Sequence, residues 1–184
     1  MGDVTTPFAD QFAAFSQNGG SSSGSGPKWL PELRKRAFER FAALGFPTTR
    51  DEDWHFTSVT PIAERTFKTA KSTPTTMPMS AIEPYLVDAE WHRLVFVNGR
   101  LEPSLSNFSE LPVDVELSAL SEVLREEPEW VEKHLGSLAA FDKAAFTALN
   151  TAFVTEGVVL RVPKGEVVET PIHILHLVVP DSKH

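Results

Sequence analysis

The residues with the most chemical potential sit in Asp51-Glu52-Asp53-Trp54-His55. Clustered carboxylates are the ligands magnesium and calcium prefer, and a histidine adds a transition-metal ligand. This loop is therefore the candidate for a metal-dependent enzyme. The opposing reading is structural: neighbouring side chains diverge, and carboxylates in such a loop cap a helix or pair with Arg50. Neither an EF-hand nor an HExxH spacing is present. His173 and His176 stand three apart within an apolar run that reads as a strand, where they point to opposite faces and cannot share one ion. No G-x-S-x-G elbow, phosphate-binding G-x-x-x-x-G-K-[ST] loop or G-x-G-x-x-G fingerprint occurs. Residue chemistry alone makes a binding or scaffolding part the default expectation, with no catalytic residues, no cofactor and no metal in this segment.

Composition narrows the classes further. The 184 residues suit about one domain. Lys plus Arg is 17 against 25 Asp plus Glu, a net charge of −8 without a basic tail. Such a chain is a poor partner for a phosphate backbone, so no nucleic acid is expected. No apolar run nears the roughly 20 residues of a membrane span. Met1 to Phe12 has neither the basic nor the apolar region of a secretory signal. Cysteine is absent, which excludes disulfides, thiolate metal sites and cysteine nucleophiles within this chain and fits a reducing cytoplasm.

Several elements must position these residues. Phe8, Phe12 and Phe15 recur at helical spacing and mark a short amphipathic helix over residues 1–17. It lacks the cationic face of a membrane anchor, so it is expected to pack on its own domain or on a second copy. Residues 18–27, rich in Gly and Ser, read as a flexible linker. A helix then begins near Pro31, with an apolar stripe of Leu30, Leu33, Ala37, Phe41 and Leu44, and Gly45 at its end. Lys28, Arg34, Lys35, Arg36 and Arg40 are assigned to its outer face. Residues 68–84, rich in Thr, Ser and Pro, read as an irregular connection.

Further along, Leu94 and Phe96 alternate with Val95 and Val97 on a strand expected to be covered on both faces. Asn98-Gly99 is the dipeptide of a tight hairpin, placed near 92–102. Leu117, Leu120, Val123 and Leu124 suggest a helix, and Pro128 opens another carrying Trp130, Val131 and Leu135. A third starts near Asp142 as N-cap and buries Phe146, Leu149 and Phe153. Asn150 on it is given a packing or capping role. After Glu156-Gly157 come short strands: Val158 to Val162, one beginning at Val167-Val168, and Ile172 to Val179. These could open a sandwich, a barrel or a β-solenoid. A generic β-solenoid binding module would line a groove with aromatics, but the strands after Glu156 carry no Trp, Tyr or Phe.

Four blocks in order resemble the SufB/SufD family of iron–sulfur cluster assembly proteins, in particular the N-terminal part of SufD. They start with Leu33-Arg34-x-x-Ala37 and Gly45-Phe46-Pro47-Thr48, leading to Arg50-x-Glu52-x-Trp54-His55-Phe56-Thr57. Next is Arg93 to Arg100 with Pro103-Ser104-Leu105-Ser106. Phe146-x-x-Leu149-Asn150-x-Ala152-Phe153-x-x-Glu156-Gly157 follows, then Val162-Pro163-x-Gly165 with Pro171-Ile172-x-x-Leu175-His176. His55 departs from the pattern, standing where the family carries Lys or Arg. The resemblance implies an α+β architecture. A mainly helical region over 28–154 would lead into the first strands of a right-handed β-helix over 155–184, whose continuation would lie beyond this sequence. It implies a non-enzymatic, cytoplasmic subunit of a SufBCD scaffold complex. Its partners would be a SufB-like subunit and a SufC-like ATPase, and the iron–sulfur cluster would be held at the level of the complex. Arg50, Glu52, Trp54, His55, Asn98, Gly99 and Asn150 are then the motif residues most open to a protein-contact role. If Ile172 to Val179 is left without a neighbour, its open edge should drive self-association.

Overall fold

The computed structural model describes residues 6–18, 26–65, 67–68, 77–108 and 111–179. Residues 19–25 of the expected linker and 69–76 of the irregular connection lie outside them. So do 1–5 of the first helix and 180–184 of the last segment. In chain order the elements are α1 (Thr6–Gln17), α2 (Trp29–Leu44), α3 (Thr60–Ala63), β1 (His92–Val97), β2 (Arg100–Leu101), β3 (Glu116–Ala119), α4 (Leu120–Glu126), α5 (Pro128–His134), α6 (Ala145–Ala152), β4 (Val158–Arg161) and β5 (Ile172–Leu177). The fold is α+β. Two compact units emerge, one of residues 1–69 and 124–155, the other of 70–123 and 156–184. This grouping interleaves stretches that the sequence alone separates near residue 154.

The helical unit is built on the apolar stripe of α2. Leu30, Leu33, Ala37 and Phe41 are buried as their spacing requires, and Gly45 ends the helix at φ 67°, a left-handed conformation that favours glycine. α6 meets α2 through small residues: Ala145, Ala148, Thr151 and Ala152 are its buried positions. Phe146, Leu149 and Phe153, expected inside, are only partly buried. Alanines at the seam let the two backbones approach closely, and the larger side chains spread to either side. Asp142 is not the N-cap either. α6 starts at Ala145, and the extended Ala144 precedes it with no side-chain cap. The expected docking helix packs on its own unit. Phe12 stacks on Phe38 at 4.4 Å and meets Phe153 edge-on at 5.7 Å, while Phe8 contacts Phe41 and Phe46.

In the second unit β1 is the centre of a three-stranded sheet ordered β2-β1-β5. All six of its residues are buried. Val95 and Val97 pack with Ile82, Leu105, Leu175 and Leu177, whereas Leu94 and Phe96 pack with Leu117, Val158 and Ile172. β2 returns antiparallel through Asn98 and Gly99 at φ 49° and 77°, the positive angles the hairpin demands. β5 runs parallel to β1, from His92 opposite Ile172 to Val97 opposite Leu177. β3 and β4 form a separate antiparallel pair.

Two sequence expectations fail here. Leu117 lies on strand β3 rather than a helix, because Leu117 and Ala119 face inward while Glu116 and Ser118 flank them, and β4 supplies the partner. The helix begins only at Leu120. Val167-Val168 forms no strand. No partner lies beside it among the described residues, and Val167 is exposed.

Candidate functional site

The loop after α2 is a turn fastened by one carboxylate. Asp51 Oδ2 accepts the Thr48 backbone N–H at 2.7 Å and the Thr48 hydroxyl at 3.1 Å. The Asp51 N–H returns to the Thr48 carbonyl at 3.0 Å. The Thr48 N–H, and then its hydroxyl, hold the Asp51 carboxyl below its ordinary value. A 3₁₀ turn over Glu52–Trp54 follows. His55 Nδ1 lies 3.2 Å from the Thr49 carbonyl, so that nitrogen must be the N–H donor. Trp54 anchors the loop by packing on Phe146 of α6, with ring centroids 5.2 Å apart.

Asp51 is engaged by Thr48, and Arg50, Glu52, Asp53 and His55 are exposed. Among the described residues no three His, Asp or Glu side chains are placed to hold a metal ion. The structural reading assigns such a carboxylate to a helix cap or to Arg50; Asp51 instead ties down a turn through Thr48 and makes no side-chain bond to the 3₁₀ turn it precedes. What the loop presents outward is Phe56, 97% exposed, with its ring edge-on to His55.

The other motif residues separate. Asn98 and Gly99 belong to the sheet unit, where Asn98 does more than turn the chain. Its N–H donates to the Leu177 carbonyl at 2.8 Å, and its side-chain oxygen accepts the Val179 N–H at 2.9 Å. Asn98 thus ties the hairpin to the end of β5. Asn150 is exposed and is among the residues lining a cavity on the helical unit. His176 stacks on Phe96 at 4.9 Å.

Two residues carry more structure than their sequence context indicates. Arg34 is not on the outer face of α2 but only 5% exposed. Its Nε and Nη2 donate to the Val154 carbonyl at 2.9 and 2.6 Å, and the guanidinium lies 5.1 Å from the Phe15 ring centroid. Burial pulls its pKa down to about 10. Glu156 accepts the Ser121 N–H at 2.9 Å and the Ser121 hydroxyl at 2.6 Å, satisfying the first turn of α4. The only local signal for Arg34 was its place four residues after Leu30 and one after Leu33, on the shoulder of the apolar stripe.

The family model described as SufBD protein N-terminal region matches residues 9–174. An iron–sulfur cluster assembly SufBD family protein of Synechocystis is 31% identical, over 86% of this chain and 35% of that protein. The iron–sulfur cluster assembly protein SufD of Bacillus subtilis is 29% identical, over 82% of this chain and 35% of its own length. The chain therefore spans about a third of the length of the curated relatives it matches.

Proposed function

The chain belongs to the SufBD family of iron–sulfur cluster assembly proteins, and on that premise we propose that it acts as the N-terminal part of a SufD-like scaffold subunit. In this reading it is non-catalytic and cytoplasmic. It works beside a SufB-like subunit and a SufC-like ATPase, and the cluster is assembled at the level of the complex rather than on this segment. Residues from 155 onward begin the β-helix. The observation that carries this part is the in-register parallel pairing of β5 with β1, which leaves β5 at the sheet edge among the described residues. Parallel strands stacked in register are the unit a β-helix repeats, and each rung covers the edge of the one before.

The outward side of β5 fits the same reading. Ile174 on β5 is 44% exposed and Val178, just past its end, 87%, an apolar surface suited to a further rung. No helix among the described residues is long and apolar enough to cross a membrane. The test is co-expression of the full-length parent with its SufB-like and SufC-like partners, followed by purification on a tag carried by the parent alone. A stable complex containing all three is expected. Purification of the parent alone, with both partners expressed and soluble, would reject the scaffold reading.

A further inference from the structure

On the helical unit lies a cavity of about 380 Å³ that the scaffold reading does not use. Its walls are the rings of Phe8, Phe67, Phe146 and Phe153 and the side chain of Leu149, contributed by α1, the segment after α3, α6 and the residue that ends α6. Those five side chains make the interior apolar. Gln11, Lys68 and Asn150 complete the lining; Lys68 is its one charged residue, and both Lys68 and Asn150 are exposed. An aromatic and aliphatic lining with a few polar groups is the make-up of a small-molecule site, and the volume lies in the usual range.

We propose that this cavity binds an amphiphilic monocarboxylate, whose alkyl or aryl body enters between Phe146, Leu149 and Phe153 while its carboxylate meets Lys68 and Asn150. Charge complementarity selects this ligand: Lys68 is the one charged residue in the cavity lining and favours an anion, while the apolar walls favour an anion that also has an apolar body. The Asn150 amide adds an N–H donor for the second carboxylate oxygen without adding charge. A neutral amphiphile satisfies the walls but not Lys68, and an inorganic anion satisfies Lys68 but not the walls.

The test is calorimetric titration of the full chain with decanoate below its micellar concentration, with decanol and acetate as comparators. Saturable one-site binding of decanoate is expected, weaker binding of decanol, and none of acetate. Lys68→Glu lies at an exposed position and should weaken decanoate about fivefold, the scale of one exposed ion pair, while leaving decanol unchanged. Leu149→Trp should fill the cavity and remove binding of both. If that variant does not fold, the decanoate–decanol comparison in wild type and Lys68→Glu decides alone. Absence of saturable decanoate binding would overturn the proposal, as would equal affinity in wild type and Lys68→Glu. Self-association that Lys68→Glu abolishes, without decanoate binding, would place a second copy in the cavity instead and equally overturn it. Failure of the three-protein complex bears only on the scaffold reading, so the two can fail separately.

Discussion

Replacing Arg34 by methionine and by lysine should give an order of stability opposite to that of conservative substitution. The buried guanidinium is held by two contacts, a two-pronged donation to the Val154 carbonyl and the face of Phe15. Charged hydrogen bonds contribute about 1.5–3 kcal/mol, and a desolvated cation–π contact about 1–2 kcal/mol. Against these stands the cost of burying the cation. A guanidinium pKa pulled down to about 10 corresponds to about 3 kcal/mol against the charged form. The gains and the cost nearly cancel, so the charge itself adds little. What Arg34 supplies is the fork. Arg34→Met loses the fork and leaves the Val154 carbonyl without it, but it also removes the desolvated charge and keeps an apolar stem. A loss of about 1–2 kcal/mol is expected. Arg34→Lys keeps the buried charge and cannot reproduce the fork, so a loss of about 2–3 kcal/mol is expected.

Urea unfolding of the three proteins, followed by circular dichroism, ranks them through the midpoint at unchanged slope. The pH dependence supplies a second readout. A buried lysine has a folded pKa below its unfolded one. The cost is therefore fully present below the folded value and is relieved as pH rises through it toward the unfolded value. Arg34→Lys should recover stability under mildly alkaline conditions, whereas Arg34→Met should not. If Arg34→Lys is the more stable variant at neutral pH, the charge rather than the fork holds α2 to the end of α6, and the reasoning fails.

Asp51 should titrate below the ordinary carboxylate range by NMR, because the Thr48 N–H and hydroxyl favour its ionised form. Its contribution is present above the unfolded pKa and is lost as pH falls through the folded one, so Asp51→Asn should flatten the acid limb of the stability profile. Gly99→Ala should lower stability by about 1 kcal/mol in thermal unfolding. Open space surrounds the new Cβ, so the cost comes from the backbone at φ 77° alone. Ile174→Lys on the exposed side of β5 should shift sedimentation velocity profiles toward monomer, because a charge beside an open strand edge blocks pairing. A wild-type chain that is monodisperse and monomeric at high concentration would refute the edge-association argument.

Features whose cause lies within a few residues were readable from the sequence. The Asn98-Gly99 hairpin, the α2 stripe and Gly45 at its end each follow from backbone sterics or a 3.6-residue period acting locally. The parallel partner of β1 was not readable, because its ladder joins residues 80 apart and parallel pairing leaves no turn dipeptide behind. Leu117 shows how the two periods become indistinguishable over short spans. Leu117, Leu120 and Val123 satisfy a helical spacing, and Leu117 with Ala119 satisfies a strand. Only the presence of β4 decides between them.

The same limit governs the candidate site. The sequence drew attention to Asp51, Glu52, Asp53 and His55 because they are charged and adjacent, yet their backbone places Asp51 on Thr48 and leaves the others exposed. Arg34 passed for a surface residue because charge is read as exposure unless a partner is visible nearby, and its partner is a main-chain carbonyl 120 residues away. Hydrogen bonds to a carbonyl carry no side-chain signature, since any residue at position 154 other than one that displaces the backbone offers the same acceptor. The sites that organise this chain at long range are therefore the ones its residue types announce least. Arg34 and Asn98, each bonded to backbone far along the chain, are the positions where substitution should separate folding of a unit from the contacts its surface makes.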